Sequence, residues 1–221
     1  MEKLKLYLGG SLFTEAERNM REKEYKEMVE LFGEEVEIYS PMHNDDINDK
    51  SKEINSEDIF IQDTREVIQS DFFYCNLEEL DKDPGLAMES GIVLGCNIVL
   101  DMMDKIIDTA MKDFPTLTNA GADKLIKSKI MGTLLNTIPS KAVYVNATDI
   151  RLTHPNPLIG LKKDASVNQY CLGGLETTGA YIGNSSTEVI NTIKKQLDDF
   201  NNLYEAIGGK EKDEAEMHEG N

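Results

Sequence analysis

A largely apolar run over residues 72–77 is the feature that most constrains the fold of this chain. It reads Phe-Phe-Tyr-Cys-Asn-Leu and follows Asp71 directly. A strand in which apolar residues do not alternate with polar ones is typical of a parallel sheet whose two faces are both covered by helices. We therefore predict a strand buried on both faces, and with it an α/β fold.

Alternating strand and helix patterns flank this run. Strands are predicted at 3–8, 35–39, 72–77 and 97–101, and helices at 14–32, 57–69, 85–95 and 186–206. Thr14 and Glu17 have the spacing of a capping box that starts the first helix. The alternation predicts a doubly wound parallel sheet, flavodoxin- or Rossmann-like, with flanking helices. Such sheets bind their ligands at the carboxyl ends of the strands.

The length of 221 residues is enough for one sizeable α/β domain, which we place at residues 1–207. Helical periodicity over 102–141 predicts a helical insertion in that domain. Residues 208–221 are acidic and contain few apolar side chains, which is typical of a disordered tail.

The charge balance limits the possible partners. A net charge of −18 argues against nucleic acid and anionic membranes, because both require a basic surface. The three cysteines, Cys75, Cys96 and Cys171, lack metal-binding spacing, so we predict reduced thiols, no metal and no cofactor. We find neither an apolar signal core nor an uninterrupted apolar run of 18 residues, and we expect a cytoplasmic protein.

The segment from Asp83 to Gly91 carries the first candidate for chemistry. It reads Asp-Pro-Gly-Leu-Ala-Met-Glu-Ser-Gly, so Asp83 can cap a helix that Pro84 begins. Small side chains around Glu89 leave that carboxylate open to a bulky ligand such as a sugar ring. The alternative is a capped helix on which Glu89 is merely solvated.

A second carboxylate and a strand end complete the candidates. Asp63 shares a helix face with Phe60 and Val67, so partial burial should raise its pKa and suit it to donate a proton. The alternative is a surface Asp at the edge of that face. Tyr7 ends the first strand and can orient Glu89, while Gly9 and Gly10 allow a ligand to approach the backbone closely.

Five segments in this order resemble the nucleoside 2-deoxyribosyltransferase family. They are Leu4 to Glu17, Ser40 to Asp45, Ile59 to Asp63, Asp71 to Leu77 and Asp83 to Gly91. The resemblance covers residues 4 to about 100 well and 146–200 weakly.

The resemblance implies a role for each candidate. Glu89 is the expected nucleophile, Asp63 contacts the base, and Asp83 accepts a hydrogen bond from the sugar 5′-hydroxyl. The other predicted substrate-binding residues are Gly9, Gly10, Asn44, Asp45, Phe60 and Met88. Asp45 is an acid where relatives use an amide, which leaves the base preference open.

Three functions fit these residues. The first is exchange of the base of 2′-deoxyribonucleosides through a deoxyribosyl-Glu89 intermediate. As in retaining glycosidases, one carboxylate would act as the nucleophile and a second would serve the leaving group. The second is hydrolysis of deoxynucleoside 5′-monophosphates, although Leu12 stands where an Arg is expected and Asp83 would repel a phosphate. The third is a non-catalytic nucleotide-binding module.

The predicted partners are nucleosides, free bases and further copies of the chain. The resembling enzymes close their sites with a neighbouring subunit, so we expect a homo-oligomer. The apolar stripe on helix 186–206 and the insertion are the expected contact surfaces.

Overall fold

Five parallel strands form one sheet in the order β2-β1-β3-β4-β5. They are β1 (Leu4–Leu8), β2 (Val36–Tyr39), β3 (Phe72–Asn76), β4 (Ala142–Asn146) and β5 (Tyr181–Gly183). The winding direction reverses between β1 and β3, so the loops that leave their carboxyl ends diverge and open a crevice. Ligands of α/β sheets bind at such a point. The predicted doubly wound α/β fold is confirmed.

Six helices accompany the sheet in the computed structural model, which describes residues 3–45, 55–80, 82–113, 120–148 and 168–206. They are α1 (Glu15–Phe32), α2 (Ser56–Gln69), α3 (Pro84–Asp113), α4 (Ala120–Thr137), α5 (Gln169–Thr177) and α6 (Ser186–Ala206). Short 3₁₀ turns follow β2 at Pro41–His43 and β3 at Leu77–Glu79. The predicted tail at 208–221 lies outside the described residues.

Capping boxes fix the starts of the first two helices. The Thr14 hydroxyl accepts from the Glu17 backbone at 3.2 Å, and the Glu17 carboxylate accepts from the Thr14 backbone at 2.7 Å, as predicted. Asn55 and Asp58 form the same motif at the start of α2. These caps satisfy backbone N–H groups that the helices leave unpaired.

The core lies on both faces of the sheet. Phe73 and Cys75 of β3 point towards the layer of α2, α3 and α5, and Phe72 and Tyr74 point towards α1 and α6. All five residues of β3 are buried, which confirms that this strand is covered on both sides.

The strand predicted at 97–101 is wrong, because α3 continues without a break from Pro84 to Asp113. Its buried residues Val93, Cys96, Leu100 and Ile107 recur three, four and seven positions apart, which is the helical period. A short apolar run cannot distinguish a strand from a buried helix segment when the packing is unknown. The fourth strand of the sheet is instead β4, after α4.

A second apolar stripe on α3 faces outwards. Met88, Val99, Met102 and Ile106 lie along one side of the helix, and each is about half exposed. By length and composition alone, Pro84–Ala110 could cross a membrane, and 17% of its most apolar window is buried. One such helix is by itself weak evidence for a membrane span.

Most of the apolar stripe of α6 is buried within its own subunit, whereas we expected it to supply a contact surface between subunits. Val189, Ile190, Ile193 and Leu197 are buried within the same chain, where α6 packs against α1 and β4. Phe200, farther along the helix, is half exposed. The stripe therefore closes the subunit's own core.

Candidate active site

A hydrogen bond between Tyr7 and Glu89 joins β1 to the second turn of α3. The Tyr7 hydroxyl donates to Glu89 Oε1 at 2.7 Å. The Tyr7 ring is buried and stacks on Tyr39 at 5.4 Å and on Phe73 at 5.7 Å between ring centroids. Since two aromatic neighbours hold the ring, the phenol fixes the carboxylate in one orientation.

The surroundings of Glu89 favour its neutral form. Burial raises its pKa to about 8, the nearby negative charges of Asp63 and Asp83 add to this, and the Tyr7 hydrogen bond opposes it. The residue is still partly exposed, so a ligand can reach it. A poorly solvated carboxylate in a cleft is a frequent property of catalytic groups.

Asp63 is held by a directional chain of hydrogen bonds. The Asn44 amide donates to the Tyr39 oxygen at 2.8 Å, and the Tyr39 hydroxyl donates to Asp63 Oδ1 at 2.6 Å. Burial raises the pKa of Asp63, and the bond from Tyr39 opposes that rise. Because Oδ1 accepts this bond, Oδ2 is the oxygen available to hold a proton for a ligand.

Both carboxylates line one pocket of about 210 Å³ between α2 and α3. Its walls are formed by Ser56, Ile59, Phe60, Asp63, Thr64, Gly85, Met88, Glu89 and Ile92. Acidic groups set in apolar walls match the usual pattern of small-ligand sites.

A larger cavity, of about 830 Å³, lies at the amino ends of the strands and includes Asp71. The Asp71 carboxylate accepts from the Lys5 backbone at 2.8 Å, which gives this residue a structural role. That cavity contains neither Glu89 nor Asp63, so chemistry rather than size identifies the smaller pocket as the candidate site.

Gly9 and Asp83 border the site. A Cβ atom on Gly9 would lie 2.9 Å from Leu86 Cδ1 and 3.4 Å from Glu89 Oε2, so only glycine fits without displacing its neighbours. Asp83 Oδ1 caps α3 by accepting from the Gly85 and Leu86 backbones at 2.9 and 3.2 Å.

The remaining predicted residues divide into two groups. Phe60 and Met88 line the pocket, and Asn44 reaches it indirectly through Tyr39. Asp45 is exposed and lines a neighbouring cavity, and a Cβ on Gly10 would meet Arg21 instead of the carboxylates. The structure thus does not bring Asp45 or Gly10 to the pocket.

Sequence reasoning missed Tyr39 and the buried charges of Arg21, Glu24 and Glu79. Tyr39 is the register partner of Tyr7, so two tyrosines lie side by side near the carboxyl ends of adjacent parallel strands. A tyrosine near the end of each predicted strand was a detectable signal. Arg21 and Glu24 lie seven and four residues before buried Met28 on α1, a spacing that places charges on the core face.

The raised pKa of Glu89 predicts a pH-dependent effect on stability. Between pH 4.5 and about 8 the native state holds a proton that the unfolded chain releases, so this group's stabilising contribution declines as the pH rises. Gln does not titrate. Glu89→Gln should therefore raise the melting temperature relative to wild type by about a few degrees more at pH 9 than at pH 5. Thermal unfolding followed by circular dichroism measures this, and exposed Glu30→Gln is the control. An equal difference at both pH values would contradict the assignment.

Comparisons with known proteins agree with the geometry. A crystal structure described as a conserved protein from Enterococcus faecalis V583 shares the fold, with a TM-score of 0.56 and 21% identity over 88% of this chain and 99% of that one. No curated protein matches the sequence. The family model of nucleoside 2-deoxyribosyltransferases matches residues 6–120, which include every candidate site residue. The chain therefore belongs to the nucleoside 2-deoxyribosyltransferase family.

Proposed function

We propose that this protein exchanges the base of 2′-deoxyribonucleosides through a deoxyribosyl-Glu89 intermediate. The observation that carries the proposal is the pairing of Glu89 and Asp63 across one pocket, each carboxylate held by a different tyrosine. One carboxylate can attack the sugar while the other serves the departing base, as in retaining glycosidases. The proposed setting is cytoplasmic nucleoside salvage.

In the first step, the proton that the two carboxyls share lies on Asp63, and ionised Glu89 attacks C1′ of the nucleoside. Oε1 accepts from Tyr7, so Oε2, which lies beside Gly9, is the attacking oxygen. The C1′–N bond breaks, its electron pair goes to the base, and Asp63 Oδ2 donates the proton that the base requires. The products are a deoxyribosyl ester of Glu89, a neutral base and ionised Asp63.

In the second step, a different base enters the pocket and attacks C1′. Its N–H proton passes to Asp63, and the ester oxygen leaves as the Glu89 carboxylate. Two displacements at one carbon return the β-nucleoside. The cycle needs one proton shared between two carboxyls, and the raised pKa values of both groups favour retention of that proton near neutral pH.

The first test is turnover of deoxyinosine with and without free adenine. We expect deoxyadenosine when adenine is present, and Glu89→Gln should retain less than about a tenth of the wild-type kcat. Glu30→Gln, an exposed glutamate on α1, is the matched control and should keep full activity.

The alternative functions give different products. Free deoxyribose without transfer would identify a hydrolase, and the absence of any turnover would favour a non-catalytic module. Either result would contradict the proposed exchange.

The position of Asp83 favours a nucleoside over its 5′-phosphate. Its Oδ1 is occupied by the cap of α3, so Oδ2 is left to accept from a 5′-hydroxyl. A 5′-phosphate would lose that bond and meet a like charge. We expect deoxyinosine to exceed its monophosphate in kcat/KM by at least about tenfold. Steady-state kinetics with Asp83→Ser should show a smaller gap, and a wild-type preference for the monophosphate would contradict this.

We also propose that a second copy of the chain covers the outer stripe of α3. The stripe begins at Met88 in the pocket wall and continues through Val99 and Met102 to Ile106. A partner on this face would bury apolar surface and also screen the pocket from water, which would otherwise hydrolyse the deoxyribosyl ester. The net charge of −18 opposes self-association elsewhere, so an uncharged stripe is the favoured contact.

Light scattering with matched variants tests this contact. The wild type should have a mass of at least twice 24.8 kDa at micromolar concentration. Val99 and Val29 are 45% and 44% exposed on different helices, so Val29→Asp is the control for Val99→Asp. Val99→Asp should yield monomers and a lower ratio of transfer product to hydrolysis product, and Val29→Asp should change neither. A fully active wild-type monomer would refute the proposal.

A further inference from the structure

A buried-charge cluster lies beneath the loop that leaves β1. It consists of Arg21 and Glu24 of α1 and Glu79 of the 3₁₀ turn after β3, all of them buried. The chemistry proposed above uses none of these side chains, and none lines the pocket that holds Glu89.

Arg21 connects the members of the cluster. Its Nη2 lies 2.9 Å from Glu24 Oε2 and 3.8 Å from Glu79 Oε1. Glu24 Oε1 also accepts from the Tyr74 hydroxyl at 2.6 Å, which ties the cluster to β3. The whole unit is therefore anchored to both α1 and the centre of the sheet.

The same cluster binds the backbone of the Gly9–Ser11 loop at two points. Arg21 Nη1 donates to the Gly9 carbonyl at 3.1 Å, and the Ser11 N–H donates to Glu79 Oε2 at 2.8 Å. A Cβ on Gly10 would lie 2.5 Å from Arg21 Nη1, so the guanidinium packs directly against this loop.

The opposite side of the loop touches the active-site wall. Gly9 packs against Leu86 and Glu89, at the distances given above for an added Cβ. The loop is consequently held between Arg21 on one side and the proposed nucleophile on the other.

The stability of the fold alone does not explain why these charges are retained. One guanidinium faces two carboxylates away from water, and burial raises the pKa of both Glu24 and Glu79. Apolar residues of similar volume often replace such groups with no loss of stability. A guanidinium offers what an apolar side chain cannot. Its Nη1 donates a directed bond to the Gly9 carbonyl, and its charge pairs with Glu79, the acid that accepts from the Ser11 N–H.

We propose that the buried-charge cluster positions the Gly9–Ser11 loop against Glu89 and so sets the solvation and orientation of the nucleophile. Arg21 is the central positioning residue and does not contact the substrate. The inference rests on the proposed function for its effect on turnover, but its effect on Glu89 itself does not depend on any activity.

The test combines a conservative variant with a steric one. Arg21→Lys keeps the charge and loses the fork, and Gly10→Ala introduces a methyl group against the guanidinium. Arg18→Lys is the matched control on the same helix, since Arg18 is exposed and binds the Leu12 and Phe13 carbonyls instead. Glu79→Gln is a milder variant that is expected to fold if Arg21→Lys does not.

The first readout is the titration of Glu89 by NMR with carboxyl-labelled glutamate, assigned by its loss in Glu89→Gln. Tyr7, Asp63 and Asp83 face this carboxylate and are unchanged in every variant. Arg21→Lys, Gly10→Ala and Glu79→Gln should each lower the apparent pKa of Glu89 by about one unit or more, because water reaches it. Arg18→Lys should leave it unchanged.

The second readout is the steady-state kinetics of base exchange. The three cluster variants should lower kcat at least tenfold while KM changes less than threefold. Gly10→Ala should lower kcat by a smaller factor in the Arg21→Lys background than in the wild type, because both changes disturb the same contact. If folded variants with a reduced melting temperature keep the wild-type Glu89 titration and kcat, the cluster is only structural and the inference is wrong. A wild type without transferase activity would overturn the proposed function, and the NMR titration would still decide the positioning role.

Discussion

The hydrogen bond from Tyr7 to Glu89 is the interaction on which the site depends. It spans the crevice where the sheet reverses its winding, and it links a strand end to the helix that leaves the neighbouring strand. A hydrogen bond of 2.7 Å requires that α3 starts beside β1, and the Asp83 cap fixes that start. It also requires that no side chain separates Tyr7 from Glu89, and Gly9 meets this requirement. One contact therefore depends on the arrangement of the fold and also orients the proposed nucleophile.

The acidic character of the site agrees with the proposed preference for an uncharged sugar. Asp63 and Asp83 both act on Glu89, and the ring hydroxyls of Tyr7 and Tyr39 provide neutral donors to the carboxylates. Among the described residues that line the pocket, none is a basic side chain that could neutralise the charge of a substrate phosphate. Negative charge would instead suit the proposed reaction, in which the sugar becomes positive at C1′, because the stabilisation increases as that charge develops.

Local sequence patterns predicted much of the fold. The predictions that failed concern how the elements pack against one another. The burial of β3, the capping box at Thr14 and the bounds of α6 were all evident in the sequence. The strand predicted at 97–101 failed because its apolar residues serve a helix that contacts the core on one side. The motif around Glu89 was recognisable in the sequence. The positions of Tyr39 and Arg21 also left local signals, but their contacts depend on strand register and on long-range packing, which local patterns do not specify.

Trapping the covalent intermediate is the most direct test of Glu89 as the nucleophile. The enzyme is mixed with deoxyinosine without an acceptor base, quenched in acid, digested and analysed by mass spectrometry. We expect one deoxyribosyl adduct, on the peptide that contains Glu89, and we expect it to disappear when adenine is added before the quench. An adduct on another peptide, or transfer that yields the α-nucleoside, would contradict the assignment of Glu89 as the nucleophile.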